Sequence, residues 1–305
     1  MNRKLLLKNV KITNNNKLLV VGSVAFDTIT TPFGKIAKTL GGSASYFGLA
    51  ASYFTQPAIV AVIGNDFTTK YKNILVGKNI DLTGLQKAKG KTFAWGGKYS
   101  FDLNSRTTLF TKLNVFEKFK PALSPSHINS GFLFLGNIHP LLQLDVLKQA
   151  QGAKFVGLDT MNYWIESEPN KLGAVLKKVD VLIINDSKIF RMMKKTGDSQ
   201  PPILIIKRGE YGLLMFQGTK IFHLPGFPLE DVKDPTGAGD SFAGGFMGYI
   251  SSTHNTSWEN LKRACVAGSV MASFCVEEMG TKGLLLLTQS NIAKRLKDFT
   301  LLTQF

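Results

Sequence analysis

Short apolar runs alternate with amphipathic stretches along most of the 305-residue chain. The runs "KLLVVGSVAF" (17–26), "PAIVAVIG" (57–64), "GFLFLGN" (131–137), "KFVGLDT" (154–160), "DVLIIND" (180–186) and "PPILIIKRG" (201–209) are short, often β-branched, and bounded by Gly, Asn, Asp or Pro. That pattern predicts buried strands. The segments Ser43–Tyr53, Asp66–Lys78, Leu141–Gln149 and Asn170–Lys178 between them have helix length. Continuous apolar strands joined through helices predict an α/β fold, a mostly parallel sheet with helices on both faces. After Asp240 the pattern turns helical, and "SWENLKRACVAGSVMASFCVEE" is long enough for about six turns.

One region breaks the rhythm. "GKTFAWGGKYSFDLNSRTTLFTKLNVF" (90–116) alternates polar with aromatic or aliphatic residues and carries turn signals at Gly96-Gly97 and Asn104-Ser105. It predicts an antiparallel hairpin, a small β-flap over about 92–113, with 28–39 as a second contributor. No repeat or low-complexity linker interrupts residues 1–305, so a single domain carrying this flap is expected.

Charge changes this picture little. The net charge of +16 comes from 31 Lys and only 6 Arg, with the lysines spread along the whole chain. A reader of phosphate backbones concentrates its charge, so no specific nucleic-acid partner is expected; a basic surface still attracts a polyanionic substrate such as a nucleotide. Hydrophobic content is 44% and mean hydropathy +0.04. No apolar run approaches the roughly 20 residues that span a bilayer. The basic start "MNRKLLLKNVKITNNNK" has an "LLL" too short for a signal-peptide core, so the expectation is a cytoplasmic protein without a membrane partner. Cys265 and Cys275 share one apolar helical stretch without C-x-x-C spacing and read as buried, reduced thiols.

Several motifs fail on spacing. In "GLQKAKGKT" (84–92) five residues separate Gly84 from Gly90, where a P-loop needs four. "VVGSVAFD" lacks the later glycines of a dinucleotide fingerprint. His127, His139, His223 and His254 have no ligand spacing, and no G-x-S-x-G is present. Four other features converge on phosphoryl transfer. "DPTGAGDSFAGGF" (234–246) is a bare glycine turn opening a small-residue helix, whose first N–H groups form a ready anion site. Asp240 closes it, either as a cap or as a base for a hydroxyl proton. "LGGSASYFGLAAS" (40–52) lets backbone approach a small polar ligand, "GSVAFD" ends the first strand at Asp27, and "IIKRGEYG" (205–212) ends another strand in a basic glycine turn.

"DPTGAGDSFAGGF" and "GGSASYFGLAAS", about 190 residues apart, resemble the two signature motifs of the ribokinase or PfkB family of ATP-dependent carbohydrate and nucleoside kinases. The resemblance runs from about Lys17 onward, leaving the first sixteen residues extra, and implies a ribokinase-like fold with a lid. It implies a base at Asp240 and an anion hole from Gly237, Ala238 and Gly239. Substrate hydroxyls would meet Asp27, Gly41 and Gly42, and the nucleotide would lie along Lys207–Gly212, with Gly209 and Gly212 among its contacts. Asp234 and Thr236 match positions that hold an activating monovalent cation, K⁺ in many members. Asn185 matches the Asn of an N-x-x-E motif supporting the Mg²⁺ and phosphate site. Lys188 stands where that motif has glutamate, and neighbouring Asp186 is the candidate to compensate.

The implied activity is transfer of the ATP γ-phosphoryl to a hydroxyl of a small sugar or sugar-like substrate. A nucleoside (adenosine-type) kinase, or a catalytically weak binding protein of the same fold, are the alternatives, and a homodimer stays open as the assembly. Several residues keep a plainer reading alongside. Asp27 also fits a strand-end turn; Asn104 and Arg106 of the flap are candidate substrate-binding residues that equally fit the flap surface; Trp95 and Tyr99 are candidates to stack on a ring that also fit simple packing; and Gly209 and Gly212 also fit turns alone.

Overall fold

The apolar runs pair because each is too short to hide its own backbone, and parallel pairing with helices above and below satisfies both. The computed structural model describes residues 17–197 and 201–303, so the first sixteen residues lie outside it. Its strands are β1 (Leu18–Val21), β2 (Ala25–Thr31), β3 (Gly34–Gly41), β4 (Pro57–Ile63), β5 (Asp81–Lys87), β6 (Phe93–Tyr99), β7 (Arg106–Lys112), β8 (Phe132–Leu135), β9 (Phe155–Leu158), β10 (Val181–Asn185), β11 (Ile203–Lys207), β12 (Leu213–Gln217) and β13 (Lys220–Leu224). The helices are α1 (Ser43–Ala51), α2 (Thr69–Gly77), α3 (Pro125–Ile128), α4 (Pro140–Gln149), α5 (Asn162–Ser167), α6 (Pro169–Leu176), α7 (Asp186–Thr196), α8 (Ala238–Thr253), α9 (Trp258–Val276), α10 (Lys282–Leu285) and α11 (Gln289–Leu302).

A nine-stranded sheet runs β13-β12-β11-β10-β9-β8-β1-β4-β5. Every pairing from β11 to β5 is parallel, and β12 and β13 add an antiparallel edge. Alternation along β1 splits the core. Leu18 and Val20 join the cluster under α1, α8, α9 and α11; Leu19 and Val21 join the one under α4–α7. The chain leaves β1 toward β4 on one side and later returns to β8 on the other. That reversal opens a crevice at the carboxyl ends of the strands, where α/β sheets bind ligands.

A second sheet, β3-β2-β6-β7, is built from two hairpins paired through β2 and β6. β7 is exposed along almost its whole length. Three expectations change here. Residues 17–26 are two strands: Ser23 and Ser43 exchange N–H···Oγ bonds of 3.1 Å in both directions, and this ends β1. Asp27 therefore stands in the second sheet, not at the end of the first strand. Gly96-Gly97 is no turn but a register shift inside β6, where added Cβ atoms would meet the Phe110 and Trp95 rings at 2.4 and 2.2 Å.

α8 owes its placement to its small residues. A Cβ on Gly244 would fall 2.3 Å from the Phe47 carbonyl of α1, and one on Gly245 would fall 2.8 Å from Met271 of α9. Glycine at both positions lets three helix backbones lie close, and larger residues would cost about 1–3 kcal/mol in overpacking. This wedge fixes where the first turn of α8 points.

Candidate active site

Gly237 caps α8 in the left-handed region (φ 78°), and a Cβ there would sit 2.2 Å from the Tyr46 ring. Glycine is needed on both counts. Ala238 N–H turns back onto the Pro235 carbonyl at 3.2 Å, and Ser241 is the first to reach an i−4 carbonyl, that of Gly237 at 2.8 Å. The N–H groups of Gly239 and Asp240 fall between, in the open first turn, where the helix end is positive. Of the three anion-hole candidates, Ala238 thus has its N–H already engaged.

Asp234 fixes this turn from below. It is fully buried; Oδ1 accepts the Thr236 N–H at 2.9 Å and Oδ2 the Gly280 N–H at 2.8 Å. The turn before α8 is thereby joined to the loop after α9. Burial raises the Asp234 carboxyl above its usual range, against these hydrogen bonds. The Thr236 hydroxyl donates to the Tyr99 hydroxyl at 3.0 Å, so the second sheet is tied to the same turn.

Asp27, 4% exposed, lies against Gly41, where a Cβ would come within 2.0 Å of its Oδ2. The Gly42 N–H donates to it. The Gly-Gly pair thus makes room for the carboxylate and binds it, and Gly42 adopts φ 89° in doing so. Burial pushes Asp27 up to about 7; Asp240 and Asp234 add to the rise, while Gly42 and Arg106 oppose it. Asp240 is also pushed up to about 7, by burial first and Asp159 second, with Lys207 and Lys188 opposing. A carboxyl near 7 is tuned for accepting a hydroxyl proton at neutral pH.

The remaining candidates separate. Lys207, ending β11, brings Nζ to 2.6 Å from where a Gly239 Cβ would be. Asn185 pairs with it in register at the end of β10. Arg106 lies over Trp95 (4.8 Å to the ring centroid), hydrogen-bonds Tyr99 and acts on Asp27. Asn104 stays in the hairpin turn, its N–H on Asp102 Oδ1 at 3.1 Å. Gly209 (φ 57°) turns the chain from β11 into β12, and Gly212 packs against the Leu224 carbonyl. Asp186 is exposed and binds its neighbour, the Ser187 N–H, at 2.6 Å.

Sequence reasoning missed Asp159, which directly follows β9 and acts on Asp240; a carboxylate closing "FVGLDT" was the available signal. It also missed Tyr46, 1% exposed, whose hydroxyl has no partner and lies near Asp27 and Asp234. Nothing in "GGSASY" marks that tyrosine as more than core. The thiols of Cys265 and Cys275 are buried, and Cys275 is pushed up to about 12 by burial. Among the described residues no cluster of three His, Cys, Asp or Glu can hold a metal, and no helix is long and apolar enough to cross a membrane.

Residues 15–286 match the model of the pfkB family of carbohydrate kinases. A cytidine kinase of Thermococcus kodakarensis is 27% identical over 247 residues, 75% of this chain and 87% of that protein. The solved nucleoside kinase of Methanocaldococcus jannaschii superposes with a TM-score of 0.78 at 21% identity, covering 93% of this chain and 98% of that one. A Burkholderia thailandensis nucleoside kinase in complex with inosine gives a TM-score of 0.76 at 19% identity, covering 92% and 97%. These likenesses establish a ribokinase-like fold, and the chain belongs to the pfkB family, phosphotransferases that act on a hydroxyl.

Proposed function

We propose that this pfkB-family kinase moves the γ-phosphoryl group of ATP to a hydroxyl of a ribose-like sugar ring, with Asp240 as the general base. The observation that carries the reading is the placement of two carboxylates about one crevice: Asp240 in the open first turn of α8 beneath Lys207, and Asp27, 4% exposed, against the Gly41-Gly42 turn and within reach of the Asp240 charge. Asp27 binds and orients the acceptor hydroxyls, helped by Gly41 and Gly42. Asp240 takes the proton as the acceptor oxygen bonds to phosphorus. The bond from phosphorus to the β–γ bridging oxygen breaks, and ADP leaves with that electron pair. The open N–H groups at Gly239 and Asp240, with Lys207 above them, stabilise charge on the phosphoryl oxygens. Gly237 shapes this turn. Asn185, Lys207, Gly209 and Gly212 line the nucleotide half.

Mg²⁺ enters as part of the ATP substrate, held mainly by phosphate oxygens as small divalent ions prefer. The turn fits K⁺: Asp234 is fully buried, and among the described residues its charge is met by N–H groups rather than by a cationic side chain. Asp234 and Thr236 would hold such an ion, which supplies positive charge beneath the turn.

A nucleoside acceptor is the second reading. It is favoured by the nucleoside and cytidine kinases among the relatives, and by the lid's Trp95–Arg106 platform, which offers a flat face for a base. ADP release across sugars, sugar phosphates and nucleosides tests both. Acceptor-dependent ADP from a free sugar supports the first, and from nucleosides alone the second. No acceptor-dependent ADP in any class would remove the kinase assignment for this chain.

A further inference from the structure

Lys188 is the third residue of α7, and its ammonium is turned in toward the crevice. Nζ donates to the Thr160 carbonyl at 3.1 Å, and its charge acts with Asp159, Lys207, Asp240 and Arg106. One hydrogen bond to a neutral carbonyl satisfies one of the three donors of an ammonium. No ion pair holds this lysine among the described residues, while ten other lysine and arginine side chains have one. Burial disfavours its charge, Lys207 repels it, and Asp159 and Asp240 only partly offset both.

A second group beside it is also unmatched. Thr160 is 1% exposed, and its Oγ1 has no partner, although its own carbonyl holds Lys188. Two lysines, Lys188 acting on Asp240 and Lys207 over Gly239, therefore stand at the open first turn of α8, with the unmatched Thr160 hydroxyl buried behind Lys188. Left to themselves the two lysines repel. A ligand bearing several negative charges and acceptor oxygens holds them together.

We propose that Lys188 is a phosphate-binding residue of this active site, donating from its ammonium to the phosphate oxygens of ATP while the Thr160 carbonyl holds it in place. The inference rests on the phosphoryl transfer proposed above. Lys188 stays protonated throughout; no bond forms or breaks at it. A fixed cation here does part of the charge neutralisation that phosphoryl transfer otherwise draws from divalent metal. It also explains why a lysine suits the position where the family resemblance implies glutamate. ATP binding should consequently depend less on Mg²⁺ than in a site that faces the phosphates with a carboxylate.

Calorimetric titration of ATP into the whole protein, without acceptor, in EDTA and in Mg²⁺, tests this. Lys188→Met keeps the aliphatic stem and should weaken ATP binding at least tenfold in EDTA, the scale of one lost charged hydrogen bond, and less in Mg²⁺. Lys188→Arg should stay within a few-fold of the wild type, and so should Thr160→Val, which keeps the backbone carbonyl that holds Lys188. The melting temperature of Lys188→Met should hold or rise, because a desolvated charge is gone. Should Lys188→Met fail to fold, Lys188→Gln carries the same expectation. Neutral variants that bind ATP as tightly as the wild type in both buffers overturn the assignment of Lys188 alone. A wild-type protein that binds ATP in neither buffer overturns this inference and the proposed kinase chemistry together.

Discussion

Asp27 and Asp240 reach the same displaced range, about 7, by different means. Asp240 sits on a helix wedged between two others by Gly244 and Gly245, and its opposing cations project from the end of β11 (Lys207) and the first turn of α7 (Lys188). Asp27 sits on β2 of the second sheet, and its opposing cation, Arg106, comes from the exposed strand β7. One carboxylate is set by the main body, the other by the second sheet. In the proposed chemistry the base then keeps its tuning independently of the sheet that sets the acceptor site. Tyr99, bonded to Thr236, is the link between the two.

The comparison breaks most clearly at the carboxylates themselves. Asp240→Asn should lower kcat by roughly 10²–10⁴, the range for loss of a general base, with the fold retained. Asp27→Asn should instead raise the acceptor KM and leave ATP affinity almost unchanged. Steady-state kinetics with each substrate varied checks both; collapse of ATP affinity in Asp27→Asn would show that the two halves are assigned the wrong way round. The supporting glycines should reproduce each signature more weakly. Gly41→Ala drives a Cβ into the Asp27 carboxylate and should raise acceptor KM about 10-fold or more. Gly237→Ala strains a φ of 78° against Tyr46 and should act mainly on kcat. If both glycine variants lowered kcat and KM in the same proportion, the division between body and lid would be wrong.

These glycines also show how much the sequence could reveal. The main sheet was legible because its strands are buried on both faces and read as unbroken apolar runs. The lid was legible as a hairpin, but Gly96-Gly97 looked like a turn, since a glycine making room for an aromatic ring and one reversing the chain are written alike. Asp240 was marked by the bare turn before it. Asp27 was identified but misplaced, because the Ser23–Ser43 exchange that ends β1 depends on residues 20 positions apart. Tyr46 carries no local mark and Asp159 only that of a carboxylate closing an apolar run; both come to bear on the site through β9 and α1 meeting α8 in space. Lys188 was visible as a departure from motif, while its inward direction required the Thr160 carbonyl.

A smaller effect separates the two carboxylates by salt and charge. Arg106 lowers the Asp27 pKa from an exposed position, so Arg106→Met should move the rising limb of acceptor kcat/KM against pH upward from about 7. The limb in kcat, which reports Asp240 in the bound complex, should stay in place. Ionic strength near 1 M should mimic the variant in the wild type, because the Debye length falls to about 3 Å. Equal movement of both limbs would mean that Arg106 governs the whole crevice.

The smallest expected effect concerns stability, and its sign follows from the same displacement. A carboxyl whose folded pKa is about 7 holds a proton in the folded chain that the unfolded chain, near 4, has already released. Its contribution is fully present below pH 4 and is lost as pH rises through 7. At pH 8 the folded protein therefore contains two carboxylates whose charge burial disfavours, and which the proposed chemistry uses. Asp27→Asn, at a site 4% exposed, should melt higher than the wild type at pH 8, by an amount on the order of 1–3 kcal/mol, or a few degrees. At pH 5 the difference should shrink toward zero, because the wild-type carboxyl is then neutral as well. Asp240→Asn should show the same sign and a smaller gain, since Lys207 and Lys188 lose their partner when it is neutralised. Paired melting curves at the two pH values isolate each group from the rest of the titrating chain. A destabilised Asp27→Asn at pH 8 would mean that Gly42 and Arg106 outweigh burial, and that the lid carboxylate is held as tightly as the one on the helix.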